Sequence, residues 1–338
     1  MKTKSFSLVE TGFYTLVNKY PDCCTSGWRM QHLRSMCHRS IMSGVERIGT
    51  KEFWRAVAAE FLATLLFVFL GLGSTLNWYE ANPNPVPPPS PGDPPQADHR
   101  VLISLCFGLT IATMVQCFGH ISGGHINPAV TLAMLVTKKV SIVKGAFYVV
   151  AQLVGGIAGS GLLYLITPDK RRGTLGVCTV HPDINQGLGL LVELLLTFQL
   201  VFTIFATCDS KRTDLGGSAS FAIGVSITIG HLFGIPYTGA NMNPARSFGP
   251  ALVTLSFDQH WVYWIGPILG AIMAGLLYDF LFCPDCCKPS PGQVIPKAQT
   301  GTYKEVDKDG PDSMQQVKKK KRTERKDPPP TREVLSTV

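Results

Sequence analysis

Long uncharged apolar runs separated by short polar breaks fill the middle of this chain, and polar or Pro-rich stretches flank them. Six runs are long enough to cross a bilayer, which takes about 20 residues as helix. They cover 54–78, 101–118, 145–167, 187–207, 218–235 and 260–282. Two shorter apolar pieces, 127–136 and 243–255, cannot span and suit re-entrant half-helices. The pattern predicts an all-α membrane protein of six transmembrane helices plus two half-helices. A membrane bundle over 53–284 follows a segment 1–52 and precedes a largely disordered tail 285–338. No apolar signal-peptide core is visible in the first 40 residues, so the first span is expected to direct insertion.

The pattern repeats. Gly161-Leu-Leu-Tyr164 recurs as Gly275-Leu-Leu-Tyr278, and Asn127-Pro128-Ala129 recurs as Asn243-Pro244-Ala245. Each half opens with a carboxylate inside an apolar run, Glu60 and Glu193. The repeats cover about 53–167 and 187–283. A Pro-rich insertion at 80–100 accounts for the wider spacing of the two glutamates. Three spans per half is an odd number, so the second copy enters from the opposite side. The result is an inverted repeat whose two short segments meet near mid-membrane. Small residues in the third and sixth spans (Gly155, Gly156, Gly159, Gly161; Gly266, Gly270, Ala274, Gly275) suit close helix packing.

Charge adds orientation. The chain is 45% hydrophobic with a formal charge of +8. Arg29, Arg34, Arg39, Arg47 and Lys51 precede the first span, Lys211 and Arg212 follow the fourth, and 318–326 is basic. The positive-inside rule puts these, and both termini, in the cytoplasm. Lys170-Arg171-Arg172 dissents by falling outside. The ten cysteines suggest no disulfide framework: Cys178 alone maps to an outside loop. Cys23, Cys24 and Cys37, with Cys283, Cys286 and Cys287, are candidates for juxtamembrane lipidation. No nucleophile–base set or ligand cluster stands out, so no enzyme, cofactor, metal or nucleic-acid partner is expected.

The two triplets carry chemistry. Asparagine caps helices and proline suits the first helical position, so each triplet starts a helix. Two helix N-termini facing each other make a positive region that repels cations. The Asn127 and Asn243 amides can donate to one water, whose hydrogens then point away from each other, breaking a proton wire. The residues before each triplet, with Gly123, Gly124 and His125 in one loop and Gly239, Asn241 and Met242 in the other, should be irregular and line a wet lumen. Glu60 and Glu193 can brace their N–H groups, since a buried carboxylate needs donors. These features predict a water pore.

The segments SGGHINPAV (122–130) and TGANMNPARSFGPA (238–251) resemble the pore loops of the aquaporin/major intrinsic protein family, and the resemblance runs over about 53–284. It implies a right-handed bundle, a pore in each subunit of a homotetramer, and a constriction formed by Phe107, His231, Ala240 and Arg246. It implies a water-selective channel of the plasma membrane that excludes protons and ions. Glycerol-conducting members carry an aspartate where this chain has Ser247 and a small residue where it has His231. Ala240 replaces the family's common mercury-reactive cysteine, and Asn241 stands where the nearest resembling chains usually have serine. The resemblance also implies contact with membrane lipid and square arrays of tetramers. The end Ser336-Thr337-Val338 looks like a PDZ-domain ligand, which would engage a scaffold protein. Glycerol permeation, and an array or adhesion role with flux secondary, remain as alternatives.

Overall fold

The computed structural model describes residues 48–76, 78, 99–209, 212 and 214–283. Six of its helices are long and apolar enough to span: α1 (Lys51–Gly73), α2 (His99–Ser122), α4 (Ile142–Ile166), α6 (Gln186–Thr207), α7 (Ala219–Thr238) and α9 (Val262–Leu277), the last together with the π turn that continues it to Phe282. Two half-helices, α3 (Pro128–Val136) and α8 (Pro244–Thr254), and a single turn, α5 (Asp169–Arg172), are the other α-helices among the described residues. The fold class expected from the sequence is therefore present.

Element ends differ from the apolar pattern for local reasons. α1 stops at Gly73 although the apolar run continues, because the Ser74 and Thr75 hydroxyls donate back to Gly71 O (2.6 Å) and Leu72 O (2.7 Å). α2 continues past 118 and ends where Gly123 takes a φ of +100°. α9 runs into a π turn, Tyr278–Phe282, closed by Cys283 N–H donating to Tyr278 O at 3.0 Å. The wider turn shifts the helix face by one residue, so Cys283 is buried and Phe282 faces out.

The two halves pack alike. α1 lies on α4 as α6 lies on α9, and each half-helix packs on the last span of the other half, α3 on α9 and α8 on α4. Glycine permits the closest crossings. A Cβ at Gly155 would sit 2.5 Å from Phe61 O of α1, and one at Gly270 would collide with Leu194 O of α6. Gly161, by contrast, faces open space. Leu102, Leu165 and Phe233 are each more than half exposed on the outer faces, an apolar surface suited to lipid or a neighbouring subunit.

Cys283 is disulfide-bonded, which corrects its reading as a lipidation candidate in a chain without disulfides; whether two thiols can bridge depends on local geometry that spacing does not carry. Cys106, Cys117, Cys178 and Cys208 are free. The dissenting basic loop serves the end of α4. Arg172 donates from Nε to Tyr164 O (3.0 Å) and Thr167 O (2.9 Å), stacks on the Tyr164 ring and pairs with Asp169. It thereby caps the C-terminal carbonyls of that helix. Cys23, Cys24, Cys37, Ser336, Val338, most of the Pro-rich insertion and the basic tail lie outside the described residues.

Candidate functional site: a narrow passage between two half-helices

Asn-Pro starts both half-helices, and the caps are matched. Asn127 Oδ1 accepts from Ala129 N and Asn243 Oδ1 from Ala245 N, each at 2.9 Å. The remaining amide group crosses the pseudo-two-fold axis. Asn127 Nδ2 donates to Met242 O (2.8 Å), and Asn243 Nδ2 donates to Ile126 O (2.9 Å). Each amide has two N–H donors, so one from each asparagine stays free of these bonds. The half-helix N-termini, each worth roughly half a positive charge, are thereby fastened face to face.

The loops leading to the triplets are irregular and strained alike. Gly124 (+63°) and Ile126 (+56°) match Ala240 (+54°) and Met242 (+55°) in φ. A β-branched Ile126 in the left-handed region persists only where its surroundings enforce it. Glu60 and Glu193, both fully buried, do so. Glu60 accepts from His125 N (2.9 Å), Ile126 N (2.7 Å) and Gln152 Nε2 (2.8 Å). Glu193 accepts from Asn241 N (2.9 Å), Met242 N (2.8 Å) and the Thr238 hydroxyl (2.6 Å). Three donors per carboxylate offset much of the cost of burying it.

A cavity of about 60 Å³ runs beside these loops. A single water needs on the order of 10–15 Å³ of such space, so the cavity has room for more than one. Its lining combines polar positions, Gly123, Gly124, His125, Asn127, Asn241 and Asn243, with apolar ones, Phe67, Ile111, Leu200, Ile204, Ile223 and Ile227. His231, Met134 and Cys208 also line it. Pro128, Ala129, Pro244 and Ala245 are buried in the first turns and act through the backbone.

At His231 three side chains gather. The Phe107 ring stacks on His231, centroids 4.3 Å apart, and the Arg246 guanidinium lies 5.1 Å from the Phe107 centroid. His231 Nδ1 lies 3.0 Å from Ile227 O. A carbonyl only accepts, so Nδ1 carries the proton and Nε2 is an acceptor in the neutral ring. Arg246 Nη1 donates to Gly176 O at 2.6 Å. Buried His231 Nε2 and Arg246 Nε have no protein partner, leaving one acceptor and one donor in this cluster. Ala240 is fully buried beside Gly239, whose carbonyl lies 3.9 Å from Cys178 Sγ. Burial pushes the Cys178 thiol up to about 11, against the opposing pull of the Arg246 charge.

Several partners escaped the sequence. Tyr148 OH donates to Ser122 O (2.6 Å) and Tyr263 OH to Thr238 O (3.0 Å), bracing the two loops equivalently. Their spacing matches the repeat, and that was the available signal. Gln152 also donates to Thr131, which contacts His125 Nδ1 at 3.1 Å; a buried amide in an apolar span was its signal. The Gly176 carbonyl had none.

Known proteins resemble this chain. The family described as Major intrinsic protein matches residues 47–278. Aquaporin-4 of Mus musculus is 58% identical over 277 residues, 81% of this chain and 82% of that one. Aquaporin-4 of Homo sapiens is 60% identical over 251 residues, 74% of each. Lens fiber major intrinsic protein of Ovis aries is 50% identical over 69% of this chain and 83% of its own length. The X-ray structure of the aquaglyceroporin from Plasmodium falciparum shares the fold, with a TM-score of 0.58 at 24% identity over 69% of this chain and 98% of that one. The chain belongs to the major intrinsic protein family.

Proposed function

We propose that the chain is a water-selective membrane channel. The observation that carries this reading is the pair of capped asparagines, each fastened to the opposite loop with one amide N–H to spare. A water passing between them offers its oxygen to both donors. Its hydrogens then point toward opposite ends of the file, and no proton relay runs through it. The two half-helix N-termini add a positive potential that repels hydronium and other cations. The apolar part of the lining limits each water to few bonds, which favours fast passage.

Solute choice falls to Phe107, His231, Ala240 and Arg246. Arg246 is permanently charged and rejects cations, while its free Nε and the His231 Nε2 offer one donor and one acceptor to a water. The bulk of His231 and Phe107 excludes a three-carbon polyol. High identity to aquaporin-4 chains supports water over glycerol.

The finer assignments belong to the same proposal. The protein sits in the plasma membrane with both termini cytoplasmic, since the basic N-terminal segment, the Lys211-Arg212 loop and the tail share one side. It forms homotetramers, which pack into square arrays, through its exposed apolar helix faces. Cys23, Cys24 and Cys37 take lipid, and Ser336-Thr337-Val338 engages a PDZ-domain scaffold by strand addition. Stopped-flow swelling of proteoliposomes tests the function. Water permeability well above empty vesicles with no added glycerol permeability is expected; glycerol flux near the water rate, or no water flux, overturns it.

A further inference from the structure

The constriction side chains are backed by a residue with no side chain of its own. Gly71 lies in the last full turn of α1 and is buried. A Cβ placed on it would sit 2.6 Å from Phe107 Cε1 and 2.9 Å from Cδ1 and Cζ. The helical backbone at Gly71 does not require glycine, and glycine in a helix interior is less favourable than alanine. Space for the Phe107 ring is what the glycine provides.

The ring has little freedom elsewhere. Phe107 is fully buried. Phe67 stands edge-to-face beside it, centroids 5.7 Å apart, while His231 stacks on it at 4.3 Å and Arg246 lies over it at 5.1 Å. We propose that Gly71 is a positioning residue that sets the bore of the constriction, by letting Phe107 stand back into α1 while it packs on His231 and Arg246. The inference rests on reading the passage as a water channel. With a methyl group at 71, the ring must move from 2.6 Å to about the 3.4 Å at which ordinary contact begins. A ring displaced from α1 presses on its contacts with His231 and Arg246. A file that admits one water, about 2.8 Å between hydrogen-bonded oxygens, loses a large fraction of its cross-section to such a shift. Gly71 thereby governs selectivity from the far side of Phe107 without touching the permeant.

Gly73 is an internal control. It lies two residues on in the same helix, but a Cβ there would meet only Leu163 Cδ1, at an ordinary 3.7 Å. The full chain carrying G71A, G73A, or G71A with F107L is reconstituted, and water permeability per reconstituted protein is read by stopped flow at several temperatures. G73A is expected to match wild type. G71A is expected to lose water permeability several-fold with a raised activation energy, and F107L, which removes ring bulk, is expected to restore it. If G71A matches G73A, or if the double variant stays as slow as G71A, the inference is overturned. If G71A alone fails to assemble, a double variant that assembles and conducts supports the clash, and one that also fails overturns it. Wild-type vesicles without water flux would overturn the channel reading, whereas conducting wild type with indifferent G71A overturns this inference alone.

Discussion

Replacing Glu193 by glutamine probes the scaffold behind the passage. The carboxylate accepts three hydrogen bonds, from Asn241 N, Met242 N and the Thr238 hydroxyl, all buried. Glutamine keeps one acceptor oxygen and replaces the other with an N–H₂ donor. Whichever way the amide turns, at least one backbone N–H faces a donor. A buried N–H left unpaired costs about 1–3 kcal/mol, and the surviving bonds fall from the charge-assisted to the neutral range, another ~1 kcal/mol. Against this, removing a buried charge relieves desolvation, so a net loss of about 1–3 kcal/mol is expected. The loss reaches the lumen, because Met242 O accepts the bond from Asn127 Nδ2. Thermal unfolding of the purified protein should show a lower midpoint for E193Q, and stopped flow should show reduced water permeability. An unchanged midpoint together with unchanged flux would refute the idea that this carboxylate holds the loop.

Three further outcomes follow from the same geometry. Changing His231 to glycine removes the ring that stacks on Phe107 and should admit glycerol while Arg246 still rejects ions; swelling assays with no gain in glycerol entry would contradict this. Asn241→Ser loses the 3.0 Å bond from Asn241 Nδ2 to Tyr263 O, a neutral buried bond worth about 0.5–1.5 kcal/mol. The unfolding midpoint should fall slightly with water flux retained, and a large flux loss would show that this bond shapes the lumen itself. Cys178, buried and with its thiol raised to about 11, should resist maleimide at neutral pH in the native protein and react after denaturation; rapid native labelling, read by mass, would contradict its placement.

Much of the fold was legible because a bilayer imposes lengths and internal hydrogen bonding on any chain that crosses it. Asn-Pro in apolar surroundings located both half-helix starts, and the offset between the two triplets gave the symmetry. The pairing of Glu60 and Glu193 with loop N–H groups followed from the cost of a buried carboxylate. What stayed hidden depends on groups that carry no side-chain signature. The Gly176 carbonyl that holds Arg246 is one, and the room behind Phe107 at Gly71 is another. The π turn at Tyr278–Phe282 and the capping of α4 by Arg172 depend on local geometry that hydropathy does not encode. The four constriction residues came from family resemblance, and the structure brings Phe107, His231 and Arg246 into contact range.

Water and proton fluxes measured in the same proteoliposomes test the central claim most directly. An internal pH dye reports protons under an imposed pH gradient, while light scattering reports volume under an osmotic step. The account predicts fast water movement with a low activation energy and a proton leak no greater than that of protein-free vesicles. Water flux accompanied by a protein-dependent proton leak would contradict the role given to Asn127, Asn243 and the facing half-helix ends.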